Sequence, residues 1–210
     1  MNKFKRKIKN VALWLIKKLP VFSDIYYTSG TQTPITLRFW IWQKIIGFNR
    51  QVYWPMHHSS LVACWRNIWV GVQTSPGYMP GCYIQGIGRI YIGDYTQIAA
   101  NVGIISTNHD PYDNKEHPIN ENIHIGSYCW IGMNSVILPG VTLGDFTVVG
   151  AGSVVTHSFE EGYCIVAGNP AKLIKHLDKE KTIRYKSTYE YHGYIPKAKF
   201  AEFAKHNLNL

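Results

Sequence analysis

The sequence lacks a transmembrane segment, a good signal peptide and a zinc-knuckle motif. No segment reaches the ~18 consecutive apolar residues that span a bilayer, and the short apolar run at residues 11–16 is too closely flanked by lysines for a good signal peptide. The four cysteines are far apart and never form CxxC, which argues against a zinc knuckle or a redox pair. We therefore expect reduced thiols and a cytoplasmic protein, soluble or attached peripherally to the inner face of the membrane.

Acidic residues are scarce at the start of the chain. Asp24 is the first of them, and it is preceded by seven cations: Lys3, Lys5, Arg6, Lys7, Lys9, Lys17 and Lys18. Apolar residues recur at helical spacing among these cations, a pattern typical of a basic amphipathic helix at residues 3–19. Such a helix suits either an anionic membrane or a neighbouring subunit, and charge alone does not choose between them.

What the sequence does have is a strict period of six. An aliphatic residue occupies every sixth position over 37 residues: Ile119, Ile125, Ile131, Ile137, Leu143, Val149 and Val155. A helix repeats at three and four and a strand at two, so this period indicates short strands with a corner after each. Glycine often follows the aliphatic residue, and we expect it to give the corner backbone freedom. The small residue at the fifth position should fill the narrow angle of the coil.

The same phase is seen upstream from Ile92 to Ile104, and nine extra residues, 110–118, interrupt it there. We interpret them as a loop that projects from the coil. The predicted organisation is a basic and aromatic helical segment at residues 1–51, a β-helix at residues 52–170 and a helical cap at residues 171–210, because the end of a solenoid needs covering.

This repeat resembles the hexapeptide-repeat acyltransferases, the group of galactoside, maltose and serine acetyltransferases and many polysaccharide O-acetyltransferases. The similarity covers roughly residues 52–175. It implies an all-β solenoid, a left-handed parallel β-helix with helical appendages, and a homotrimer with sites between subunits. The handedness comes from the resemblance and not from the period, so a right-handed β-helix remains the structural alternative.

Residues 101–110, which end in Asn108-His109-Asp110, resemble the family stretch that ends in the catalytic histidine. Neutral imidazole can take a hydroxyl proton as the oxygen attacks a thioester, so we predict His109 as the general base. Asp110 is the nearest carboxylate that could orient it, with Asp94 as a rival, although Asp110 could instead shape the loop. Asn108 could contact the acceptor or simply form a turn.

The resemblance also suggests where acetyl-coenzyme A binds. The expected contacts are Trp130 at the outward end of a hexad, small Ala151 and Thr156 along the pantetheine, and two lysines near the phosphates, Lys172 and Lys175. For Trp130 the alternative is packing against another subunit. For the lysines it is the solvated start of a helix after Pro170. Cys129 takes a small inward position and is rejected as a nucleophile.

The predicted function is acetyl-CoA-dependent O-acetylation of a sugar hydroxyl in a cell-envelope or capsular polysaccharide or glycolipid precursor. Serine O-acetylation and a non-catalytic scaffold are alternatives. A zinc carbonic-anhydrase-like site is disfavoured, because His109, His117 and His124 are not spaced to converge on one metal, and we expect no metal. We expect no nucleic-acid partner either, since the repeat supplies no aromatic platform for single strands.

Overall fold

The computed structural model describes residue 11, residues 22–116 and residues 121–210. The predicted helix at residues 3–19 lies outside these residues except for Val11, and His117 also lies outside them. Within the described part of the chain, no helix is both long enough and apolar enough to cross a bilayer.

Short strands stack into three sheets that form the faces of a coil. Face 1 contains β1 Leu61–Ala63, β3 Tyr83–Gln85, β6 Gly103–Ile105, β9 Val136–Ile137 and β12 Val154–Val155. Face 2 contains β2 Ile68–Val70, β4 Ile90–Ile92, β7 Ile123–Ile125 and β10 Thr142–Leu143. Face 3 contains β5 Gln97–Ile98, β8 Trp130–Ile131, β11 Thr147–Val149, β13 Cys164–Gly168 and β14 Ala171–His176.

Helical elements flank the coil. The segment before it forms α1 Ser23–Thr28, α2 Leu37–Trp40 and a π-helix at Ile41–Ile46. Short 3₁₀ turns occur at Trp65–Asn67 and Lys179–Lys181, and the chain after the coil forms the hairpin β15 Tyr191–His192 and β16 Ile195–Pro196 before α3 Lys197–Asn207. The first strand, β1, begins later than the boundary expected at residue 52.

Parallel pairing stacks equivalent positions of the repeat above one another. Ile104 lies opposite Ile137, which lies opposite Val155 in the next coil, and all three side chains are fully buried. Burying one such side chain is worth roughly 1.5–3 kcal/mol. No single hexad could exclude water from its inner face, so stability comes from the stacking of coils.

The glycines of the repeat have a different role from the one predicted. Gly126 does not have a positive φ; instead, a Cβ there would lie 2.5 Å from the backbone nitrogen of Asp145 in the next coil. The left-handed corner residues stand two positions further on and are mostly not glycine, as at Tyr128 with φ 59°. The expectation of corner freedom is therefore wrong, and the glycine is required because the coils approach closely.

Polar residues at the fifth position satisfy the backbone at the corners. The Thr96 hydroxyl donates to the carbonyl of Gly126 at 2.7 Å and accepts from the amide of Cys129 at 3.1 Å. The hydroxyl of Ser135 likewise donates to the carbonyl of Gly150 at 2.9 Å. Since buried polar groups are costly when unpaired, a small hydroxyl serves these corners better than an alanine would.

An aromatic ladder runs along one edge of the coil, between face 2 and face 3. Its rings belong to the left-handed corner residues Tyr95, Tyr128, Phe146 and Tyr163, stacked with centroids 4.9–5.2 Å apart. Such offset stacks contribute about 0.5–1.5 kcal/mol each beyond burial. The ladder gives the chain after the coil a continuous apolar surface to pack against.

The segment predicted as a helical cap, residues 171–210, contains strands, a 3₁₀ turn and one helix, α3. Residues 171–176 are strand β14, antiparallel to β13, so the alternative of a helix start after Pro170 is wrong. The chain then runs back along the coil, where Tyr185 packs on Tyr128 and Tyr95. Helix α3 covers the first coil rather than the last: Phe200 stacks on His192 and packs on Trp69.

We predict that Gly126→Ala destabilises the fold by about 2 kcal/mol or more, because its Cβ would overlap backbone that side-chain rearrangement cannot move. For a chain of this size, thermal unfolding should start about 5 °C lower. The matched control is Gly30→Ala, where nothing lies within 4 Å of the added Cβ. Equal melting temperatures for the two variants would contradict the close-approach explanation.

Candidate active site

His109 lies four residues after β6, at the edge between face 1 and face 2, and its imidazole is exposed. Its Nδ1 lies 2.6 Å from the carbonyl oxygen of Asn114 in the same loop. A carbonyl only accepts, so Nδ1 carries the hydrogen in this pair. In neutral imidazole Nε2 then has the basic lone pair, which is the tautomer that a general base needs.

Asp110 holds the loop together. Its Oδ1 accepts from the backbone amides of Tyr112 at 2.7 Å and Asp113 at 3.1 Å, and its own amide donates to the carbonyl of Glu116 at 2.9 Å. This is the turn chemistry typical of aspartate. Here Nδ1 of the imidazole donates to the Asn114 carbonyl, and Asp110 shapes the loop that carries Asn114. That Asp110 also orients the ring as a carboxylate stays a prediction.

The rival carboxylate is also structural. The Oδ1 of Asp94 accepts from the amide of Val72 in the preceding coil at 2.7 Å. Asn108 is exposed beside His109, in keeping with a contact to a ligand or with a turn.

Hydrogen bonds to Gln85, a residue that the sequence analysis did not identify, hold the backbone just before His109. The side-chain oxygen of Gln85, at the end of β3, accepts from the amide of Thr107 at 3.0 Å, and the Ser106 hydroxyl donates to the Gln85 carbonyl. Gln85 lies in a coil where the repeat phase is weak, so no sequence signal pointed to it. It positions the start of the loop without touching the imidazole.

Trp130 projects from face 3 with 57% of its surface exposed. It borders a groove of about 290 Å³ that is also lined by Gln97, Tyr128, Ile183 and Tyr185. One wall of this groove comes from the chain that returns along the coil. That wall could not be foreseen, since Ile183 and Tyr185 lie outside the repeat.

The other predicted contacts fall on separate edges of the coil. Ala151 is exposed at the corner between face 3 and face 1, whereas Thr156 follows β12 on the edge that also carries His109. Lys172 and Lys175 lie on β14 opposite Ala167 and Ile165 and are exposed. They extend a strand, so their predicted alternative as a helix start is wrong.

One chain therefore does not bring all predicted residues together. His109, Asn108, Asp110 and Thr156 share the edge between face 1 and face 2, while Trp130 and the two lysines belong to face 3, on the opposite side of the triangular coil.

Comparison with known proteins identifies families that share this repeat. Residues 122–157 match the family described as bacterial transferase hexapeptide, six repeats. The resemblance predicted from the sequence is confirmed, and so is the fold class, a left-handed parallel β-helix.

Two curated relatives come from Escherichia coli K12. Galactoside O-acetyltransferase is 37% identical over 105 residues, covering 46% of this chain and 49% of the relative. A putative lipopolysaccharide biosynthesis O-acetyl transferase, WbbJ, is 36% identical over 110 residues, covering 47% and 56%. The chain thus spans about half the length of these relatives.

Two solved structures share the fold. A galactoside acetyltransferase in complex with coenzyme A has a TM-score of 0.52 and 29% identity, with 66% of this chain and 68% of that chain aligned. A maltose O-acetyltransferase from Clostridium difficile 630 also has a TM-score of 0.52, with 24% identity, 78% of this chain and 91% of that chain covered. At this identity the second match supports the fold alone.

In the described part of the chain, no three histidine, cysteine or acidic side chains are grouped so that they could hold a metal ion. His124, one of the three histidines considered for zinc, stacks on Tyr91 with centroids 4.7 Å apart on face 2. His117 lies outside the described residues.

The cysteines differ sharply in access, which gives a direct test of the coil. Burial raises the pKa of the Cys129 thiol to about 12 and also raises the pKa values of Cys82 and Cys164, whereas Cys64 is exposed. Because only the thiolate reacts, we predict that Cys64 alone reacts rapidly with a thiol reagent at pH 8. A Cys64→Ser variant should then react only after unfolding. Rapid labelling of Cys129 in the native protein would contradict this packing.

Proposed function

We propose that this protein is an acetyl-CoA-dependent O-acetyltransferase that acts on a sugar hydroxyl, with His109 as the general base. The observation that carries the proposal is the hydrogen bond between His109 Nδ1 and the Asn114 carbonyl. It leaves Nε2 as the basic nitrogen on the exposed edge of a hexapeptide-repeat coil. The relatives named as O-acetyltransferases, and the coenzyme A in the solved galactoside acetyltransferase, support the choice of reaction.

In the proposed reaction Nε2 of His109 takes the proton of the acceptor hydroxyl as its oxygen attacks the thioester carbonyl carbon. A C–O bond forms and the carbonyl becomes an oxyanion. When the oxyanion collapses, the C–S bond breaks and the imidazolium returns its proton to the leaving thiolate. Asn114 keeps the ring oriented through both transfers because its carbonyl can accept from Nδ1–H in either protonation state.

The residues expected at the donor site have suitable chemistry. Trp130 offers an exposed apolar ring beside a groove, and Ala151 lets an extended arm approach the backbone. Lys172 and Lys175 are exposed cations on one strand, able to meet phosphates. Since His109 and Trp130 lie on opposite sides of one chain, we propose a homotrimer in which each site forms between two subunits.

The acceptor is proposed to be a sugar of a cell-envelope or capsular polysaccharide precursor or of a glycolipid. The relative named for lipopolysaccharide biosynthesis and the galactoside O-acetyltransferase support a sugar over an amino acid.

We predict that His109→Ala lowers kcat about 10²- to 10⁴-fold without lowering the melting temperature, because the exposed imidazole contributes base catalysis rather than packing. Release of free thiol from acetyl-CoA, followed with a panel of sugars, measures it. The matched control is His124→Ala, which removes an imidazole stacked on face 2 and should retain activity. Undiminished turnover by His109→Ala would overturn the base assignment. Failure of acetyl-CoA to bind by calorimetry would instead favour a scaffold.

Two substitutions of Asp110 can distinguish a role in shaping the loop from a role as a catalytic carboxylate. An asparagine oxygen can accept the same two loop amides, so we expect Asp110→Asn to keep most of its activity and Asp110→Ala to lose more. Steady-state kcat values for the two variants make the comparison. Equal losses in both would mean that the negative charge itself matters, as for a carboxylate that stabilises the imidazolium.

A further inference from the structure

Exposed apolar side chains are concentrated where the π-helix ends. Ile45 is 63% exposed, Ile46 52% and Phe48 47%, and these three residues form what we call the apolar patch. Leu37, at the start of α2, is 49% exposed. Single exposed apolar residues are common on folded proteins, but a cluster of large ones marks an interaction surface.

The helix that carries the patch is anchored on its other side. Gln43 is fully buried, and its side-chain amide donates to the carbonyls of Asn49 at 3.1 Å and Trp54 at 2.9 Å. Its side-chain oxygen accepts from the Tyr194 hydroxyl at 2.8 Å. These bonds fix which face of the helix is turned inward. Because the helix is anchored through Gln43, Ile45 and Ile46 point to solvent from an ordered helix, and their exposure does not come from fraying of its end.

The charge of the chain indicates what covers this patch. Residues 22–93 contain five lysines and arginines and one acidic residue, Asp24, whereas residues 94–210 contain ten cations and twelve acidic residues. Two of the cations are exposed on either side of the patch in sequence: Arg38 seven residues before Ile45, and Arg50 two residues after Phe48. Pairing this surface with a second copy would bring like charges together. An anionic lipid surface, by contrast, offers complementary charge and an apolar layer just beneath it.

We infer that the N-terminal end of the β-helix docks on an anionic membrane, with the apolar patch inserted at the level of the acyl chains and the neighbouring arginines at the lipid phosphates. The surface lies at the membrane interface and does not span the bilayer. Docking does not depend on the proposed reaction, although it would place the enzyme where a glycolipid acceptor is found.

The test is flotation of the full chain with vesicles of phosphatidylcholine mixed with phosphatidylglycerol, and with vesicles of phosphatidylcholine alone. Binding is expected only to the anionic vesicles and should weaken as salt is added. Ile45→Asp should weaken binding about tenfold or more, because it removes an inserted side chain and adds a repelled charge. The matched control is Tyr112→Asp, which adds the same charge at a 98% exposed aromatic residue in the His109 loop and should bind like the unaltered protein.

Three outcomes would overturn the inference. The first is that the unaltered chain floats with neither vesicle, and the second is that Ile45→Asp binds as well as Tyr112→Asp. The third is that Ile45→Asp reduces the size of the assembly in light scattering, which would make the patch a subunit contact. An uncharged double variant, Ile45→Ser with Ile46→Ser, guards against a folding defect if its circular dichroism is unchanged. Thioester cleavage with a water-soluble sugar should be the same in the unaltered protein, in Ile45→Asp and in the double serine variant, so loss of docking is distinguishable from loss of the reaction.

Discussion

The distance between successive coils constrains everything else in this protein. At Gly126 the backbone of the next coil lies where a β-carbon would stand, and the hydrogen bonds that join the coils hold it there. Because that spacing is fixed, equivalent side chains stack in columns: isoleucines inward, hydroxyls at the corners, aromatic rings along one edge. The ladder of rings then provides the surface on which the returning segment lies. A single steric condition at the corner thus organises the core, the edge and the segment outside the repeat.

The candidate site follows from where the repeat is interrupted. The extra residues leave the coil at the edge between face 1 and face 2, and the loop folds on itself so that the Asn114 carbonyl meets His109. Asp110 and Gln85 act on the backbone on either side of the imidazole, one within the loop and one from the coil before it. Chemistry is thereby placed on a loop while its anchors lie in the regular coil, so the reactive group can be held without disturbing the stack.

The period of six was enough to predict the coil, the inward residues from Ile125 to Val155 and the place of the loop, because each is a local consequence of the repeat. Ile119, the first residue of that series, lies outside the described residues. The prediction for the corner glycines was wrong because the steric conflict is with a residue nearly twenty positions away, which sequence spacing alone does not show. Gln85 and the groove wall at Ile183 and Tyr185 were missed for the same reason: their partners are distant in sequence. Asp110 is the nearest carboxylate to His109 in sequence, but the group that is hydrogen-bonded to the imidazole Nδ1 is the Asn114 carbonyl.

The returning segment has a consequence for how the chain folds. A stack of repeats can usually form from one end, each coil adding to the one before. Here Phe200 packs against Tyr53 and Trp69, and the amide of Asn209 donates to the carbonyl of Arg66, all in or beside the first coil. During synthesis the first coil therefore emerges long before the residues that cover it. The first coil is thus covered only once residues 200–209 have been made.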